Sequence, residues 1–208
     1  MLILGPTIPL WNPYLCIPKS DLTVIRILYI AFISIALFTS CKSDYQRMLQ
    51  HEMATGIRHD SLFLGLKLGM TRKDFYTICW DLNKSGQMTQ GNNNVSARYF
   101  LNEGLKAPAY LDFYPTFNDD TISEMPALFV YKDWAPWNKS LSADSLLIDV
   151  HQLVDKWYGP GFIEIKNKEK GNLWVKVDGN RRIRYFTELP NKVRMIITDM
   201  TNPPKPIQ

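Results

Sequence analysis

Residues 173–199, LWVKVDGNRRIRYFTELPNKVRMIITD, decide the fold. Leu173, Val175 and Val177 share one face of a first strand, and Ile183, Tyr185 and Thr187 share one face of a second. Bringing both sets to one side sets Val175 opposite Ile183 and Val177 opposite Arg181. The loop is then Asp178-Gly179-Asn180, with Gly179 free to take positive φ. The same parity pairs Thr187 with Val193. The expected product is a three-stranded antiparallel meander whose other face displays Trp174, Lys176, Arg182, Arg184, Phe186 and Arg194. A half-exposed antiparallel sheet turns polar residues outward, so a solvated face is the plain reading. The Trp and Phe among these cations make the same face a candidate binding surface.

Upstream lies an amphipathic helix over residues 142–158, with Leu146, Leu147, Val150, Leu153, Val154 and Trp157 at helical spacing. Ser142 suits its N-cap, and Gly159-Pro160 ends it. Phe75, Ile78, Cys79 and Leu82 make the apolar stripe of an earlier helix, which Thr71 and Asp74 cap and Gly86 stops. Strands are expected over residues 61–68, 95–101, 110–114 and 122–131, with a turn at Asn118-Asp119-Asp120. Pro126 predicts that the last of these runs sits at a sheet edge or is broken in two. The fold class is therefore α+β: two amphipathic helices packed on antiparallel meander sheet, arranged as a tandem helix-then-meander repeat. The body spans 61–200, in halves of roughly 61–135 and 136–200, followed by a tail at 201–208.

Two turns, Leu68-Gly69-Met70-Thr71 and Trp157-Tyr158-Gly159-Pro160, resemble those that begin and end helices in the small α+β modules of outer-membrane assembly lipoproteins and of the β-lactamase inhibitory protein. The resemblance implies a binding role rather than catalysis.

The N-terminal region reads as an address. Residues 27–38, ILYIAFISIALF, carry no charge and follow Arg26. The run fits the apolar part of a signal peptide, about 7–15 residues, and is shorter than the ~20 that span a bilayer. Leu37-Phe38-Thr39-Ser40-Cys41 resembles a lipobox, the site where bacterial lipoproteins are acylated on cysteine and cut just before it. Phe38 departs from the leucine usual at that position. The resemblance implies lipidation of Cys41, with residues 1–40 as signal segment. Residues 41–60 are mostly polar with few apolar anchors and read as a tether with room for one helical turn. A plain signal peptide and an uncleaved anchor are the alternatives. Pro6, Pro9, Pro13 and Pro18 suit no signal peptide, so the start is expected to be misassigned, the true one lying near Leu22 or Val24, unless the leader carries an unusual extension.

The chain has 208 residues, 46% hydrophobic and 21% charged, which describes a globular domain able to build a core. A net charge of +4, spread along the chain, lacks the clustered basic stripe of nucleic-acid binders. Cys79 is the lone cysteine of the expected mature body, so no intrachain disulfide is available to it. The histidines are His51, His59 and His151. Thr55 stands where a zinc-protease helix would need its second histidine after His51-Glu52. His59-Asp60-Ser61 holds triad residue types, but triads assemble through the fold and not as neighbours. His151 and Asp155 fit a surface helical pair.

Neither a metal site nor a cofactor motif is read. Trp134 and Trp137, flanking Pro136 in the link between halves, are further candidates for contact with sugar or peptide, or for burial at a hinge. Asp60-Ser61-Leu62, Asp120-Thr121-Ile122 and Asp144-Ser145-Leu146 resemble the O-glycosylation acceptor of exported Bacteroidota proteins. The functional expectation is a lipid-anchored module of the cell envelope, facing periplasm or cell surface, that binds a protein or glycan and not nucleic acid. The alternative is an envelope hydrolase acting on wall or glycan.

Overall fold

A computed structural model describes residues 43–91, 95–166 and 171–205. The expected signal segment and Cys41 lie outside them. Helix α1 is Asp44–Thr55, α2 is Arg72–Lys84 and α3 is Ala143–Tyr158. The strands are β1 (Met88–Gln90), β2 (Ala97–Leu101), β3 (Ala109–Phe113), β4 (Thr116–Asn118), β5 (Thr121–Tyr131), β6 (Ile163–Ile165), β7 (Leu173–Asp178), β8 (Arg181–Leu189) and β9 (Lys192–Asp199).

The fold is α+β, with all nine strands in a single antiparallel sheet of order β1-β2-β3-β5-β9-β8-β7-β6 and β4 paired to β5. Each half is a helix followed by a meander whose last strand reaches the centre, where β5 meets β9 over six pairs. Helix-then-meander thus occurs twice, but the two meanders form one sheet with one core.

Helices α2 and α3 cover one face, the front, where Leu111, Phe113, Met125, Ala127, Phe129, Ile183, Tyr185, Val193, Met195 and Ile197 are buried. Local chemistry sets the helix ends. The Thr71 hydroxyl accepts the Asp74 N–H and donates to the Asp74 carboxylate at 2.8 Å. At the other end of α2, Gln87 N–H reaches Leu82 O and Gly86 N–H reaches Asn83 O, a Schellman closure with Gly86 at φ 74°. Ser142 is the N-cap residue of α3, but its side chain makes no capping bond. Asp149 locks α3 to the sheet by accepting from the Tyr131 hydroxyl and the Lys106 N–H, both at 2.7 Å.

Three sequence expectations need correction. Residues 61–68 form no strand but a tight hairpin: Leu64 (φ 55°) and Gly65 (φ 77°) turn the chain, and Leu66 N–H bonds Phe63 O at 3.0 Å. The apolar run made burial legible, and Leu62, Phe63, Leu66 and Leu68 do enter the core. β5 is central and unbroken despite Pro126. Pro126 pairs with Ile196 of β9. On its other side β3 has ended at Phe113–Ala127 and β4 begins at Thr116–Glu124, so the missing N–H falls in a gap between strands. Finally, the stretch read as a tether contains α1, three turns begun by a capping box of Ser43 and Gln46.

Candidate functional site

The largest correction concerns register. The β7–β8 turn has two residues, Gly179 and Asn180, so Asp178 faces Arg181, Val177 faces Arg182, and Val175 faces Arg184. Val175 and Val177 therefore lie on the opposite face from Ile183 and Tyr185. The parity argument assumed one buried face, whereas this part of the sheet is covered on both. Helix α1 packs on β7 from behind. It presents the half-buried stripe Tyr45, Met48, Leu49 and Glu52. Its Glu52 carboxylate accepts the Gly179 N–H at 3.1 Å. A side chain at Gly179 would strike the Ile57 carbonyl at 2.2 Å, and φ there is 57°, so both space and backbone demand glycine. The Thr187–Val193 pairing occurs as expected.

The candidate residues consequently divide. Trp174 and Lys176 belong to the front. Trp174 packs against His151 (ring centroids 4.8 Å) and lies parallel to Tyr185 (6.4 Å, 4°). Lys176 donates to the carbonyls of Tyr158 and Gly159 at 2.7 and 3.3 Å, closing the C-terminus of α3. In the linker, Trp134 packs against the core, while Trp137 is 85% exposed. Arg182, Arg184, Phe186 and Arg194 remain together on the back.

That back face is larger than the sequence suggested. Cross-strand pairing aligns one row as Arg98, Asp112, Leu128, Arg194, Phe186, Leu173 and Ile165. A neighbouring row runs Pro126, Ile196, Arg184, Val175 and Ile163, and a third Glu124, Thr198, Arg182 and Val177. Phe100 and Tyr110 extend the surface toward the β2 side, their rings 5.8 Å apart. No front-face helix reaches these rows, and α1 takes the β7 end. A shallow cleft of about 450 Å³ opens beside Asp112, Pro126, Leu128, Lys192 and Arg194.

The cations on this face are held unequally. Arg98 grips Asp112 through two bonds of 2.6 and 2.7 Å and lies over the Tyr110 ring. Arg194 is likewise bound to Glu188 at 2.8 Å. Arg182 donates to the Tyr45 hydroxyl at 3.4 Å. Arg184 comes no nearer than 3.8 Å to Glu124, which already accepts from Thr198. Burial and the neighbouring Arg182 charge lower the Arg184 pKa.

The histidines do not converge. His51 pairs with the adjacent Glu52. His59 fixes the β7–β8 turn through its backbone N–H, which donates to the Asn180 side-chain Oδ1 at 2.7 Å. His151 shares a hydrogen bond with the buried Tyr185 hydroxyl and lies 3.7 Å from Asp155, so the surface pair also touches the core. Asp60 is held by Arg58 and Asn180, and Ser61 receives Arg181, so that trio fastens the segment entering the body.

Among the described residues no group of three His, Cys, Asp or Glu could hold a metal ion. Cys79 lines a cleft of about 500 Å³ with Phe75, Tyr76 and Tyr114, where burial pushes its thiol up to about 11, unsuited to nucleophilic work. A second cleft, about 420 Å³ between the 61–68 hairpin, β2 and α3, is lined mainly by Leu, Phe, Tyr and Trp. In the acceptor-like tripeptides, Thr121 bonds the Asn118 carbonyl and Ser145 receives Lys106. No family model, curated protein or solved structure matches the chain.

Proposed function

We propose that this protein is a lipid-anchored module of the cell envelope whose folded body binds a protein partner through the back face of its sheet. One observation carries the binding half. Strands β5 and β9, the centre of the sheet, bear Pro126, Leu128, Val130 and Ile196 on a face that α2 and α3 leave uncovered. Antiparallel strands that meet only water on one side normally alternate apolar with polar residues. Here β5 is apolar on both faces over residues 125–131, and arginines and aromatics are interspersed on the back around it, the residue types favoured at interface centres.

The anchoring half rests on the lipobox-like residues before Cys41. Cys41 is two residues from Ser43, the N-cap of a helix that lies on this same back face. More than one acyl chain on Cys41 makes attachment durable, because each buried methylene contributes about 0.8 kcal/mol.

Anchorage is tested by Cys41→Ser in cells fed labelled fatty acid. Incorporation should vanish, and undiminished label would refute it. The recognition face is tested by placing a glutamate at Leu128, which should leave the fold intact and remove the partner.

A further inference from the structure

Arg184 is placed where a guanidinium is hardest to satisfy. It projects from a central region of the sheet, in a row whose other members are Pro126, Ile196, Val175 and Ile163, all apolar. Its side chain is 34% exposed, so it is partly stripped of water and still reachable. It makes no hydrogen bond to any described residue, and its Nε is buried without a partner. Arg182, two residues along the same strand and about 7 Å away by strand rise, has its Nε buried and unpartnered too.

Buried donors without acceptors cost about 1–3 kcal/mol each, more when charged, and native proteins rarely leave them so. The carboxylate nearest Arg184 is Glu124, at 3.8 Å, whose closer bond is to Thr198, and among the described residues Arg182 pairs with no carboxylate. One positive charge is left over. The other back-face arginines provide the contrast, since Arg98 and Arg194 each already hold a carboxylate through two or more hydrogen bonds.

We propose that Arg184 and Arg182 form a carboxylate-binding site that receives an aspartate or glutamate side chain of the protein partner, an inference that rests on reading the back face as the recognition surface. The charge balance calls for a monoanion, and the fork of a guanidinium matches the two oxygens of a carboxylate. The apolar row around Arg184 requires the acid to arrive on an apolar body. Helix α1 shows this chemistry on the same face: a half-apolar stripe whose Tyr45 hydroxyl meets Arg182 and whose Glu52 carboxylate takes a backbone N–H. An acidic amphipathic segment lying beside α1 over β8, β9 and β5 would present the same groups to Arg184.

The site can be tested before any partner is known. The full-length chain, labelled with ¹⁵N-arginine in neutral detergent, is titrated with sodium acetate against sodium chloride at constant ionic strength. The Nε–H signals of Arg184 and Arg182 should move and saturate with acetate, while that of Arg98, already bound to Asp112, stays still. Arg184→Gln should weaken the response at Arg182 roughly tenfold or more, the loss expected for a charged hydrogen bond. Arg184→Lys, which keeps the charge but not the fork, should weaken it as well, and it serves if the glutamine variant fails to fold.

Equal drift of all three signals, or no saturation, would overturn the site. Tighter response to inorganic phosphate, or to phosphatidylglycerol over phosphatidylcholine vesicles, would also overturn it, because it would assign the arginines to phosphate. A normal acetate response in a chain whose Leu128→Glu variant keeps its partner would instead sink the recognition face and leave the anion site standing.

Discussion

Phe75→Ala should lower the stability of the body by about 3–5 kcal/mol, the range for emptying a fully buried aromatic site. Phe75 is 1% exposed and is the residue that α2 buries completely. Its ring meets Phe113 of β3, Tyr114 and Phe117 of β4 at centroid distances of 6.5, 5.9 and 6.0 Å. Alanine would leave the remaining contacts of α2 to the half-buried Ile78, Cys79 and Leu82. In a domain of this size the thermal midpoint should fall by roughly 10 °C. Chemical denaturation of the variant beside the parent chain measures it, and a loss below about 1 kcal/mol would mean that α2 is not docked as described.

The second expectation contrasts two aromatic residues that simple alternation would place on one face. Trp174→Ala should cost about 2–3 kcal/mol, somewhat below the value for complete burial, because the indole is half-buried against His151 and Tyr185. Phe186→Ala should cost less than about 1 kcal/mol, since its half-buried ring stands on the back among Arg194 and Leu173 and does not pack against the core. Had the turn held three residues, both would project to solvent and both would be cheap. Denaturation of the two variants under identical conditions decides the register, and equal small losses would restore the three-residue loop.

That register shows how far the sequence could be read. The periodicity of residues 143–158, the caps at Thr71 and Gly86 and the aromatic runs of β2, β3 and β5 are local signals, and they located their elements to within a few residues. The meander itself was legible for the same reason. Which face each side chain takes depends on what covers the sheet. Helix α1 buries Val175 and Val177 from behind, and its polar sequence advertised no core-facing role. Alternation arguments fail once both faces are covered, because a one-residue slip then carries no burial penalty large enough to exclude it.

The short strands β1, β4 and β6, each of three residues, carry too little pattern to find. The extent of the back face could have been suspected from one further signal. Residues 125–131, MPALFVY, and 195–197, MII, are apolar at consecutive positions, the mark of strands with something to bury on each side. Arg98, Phe100 and Tyr110 joined the site through strand pairing across the sheet, which no local pattern predicts.

The claim that the back face recognises a partner meets its most direct test at Leu128. This side chain lies near the middle of that face, between Asp112 and Arg194 in its row and beside the shallow cleft. The full-length chain and its Leu128→Glu variant should be expressed in cells, mildly cross-linked, and isolated from the envelope alongside a melting measurement on each. The account predicts midpoints that agree within about 2 °C, as for a surface change, and a cross-linked partner present with the parent chain and missing from the variant. Unchanged midpoints with an undiminished partner would contradict it, placing recognition elsewhere on the molecule.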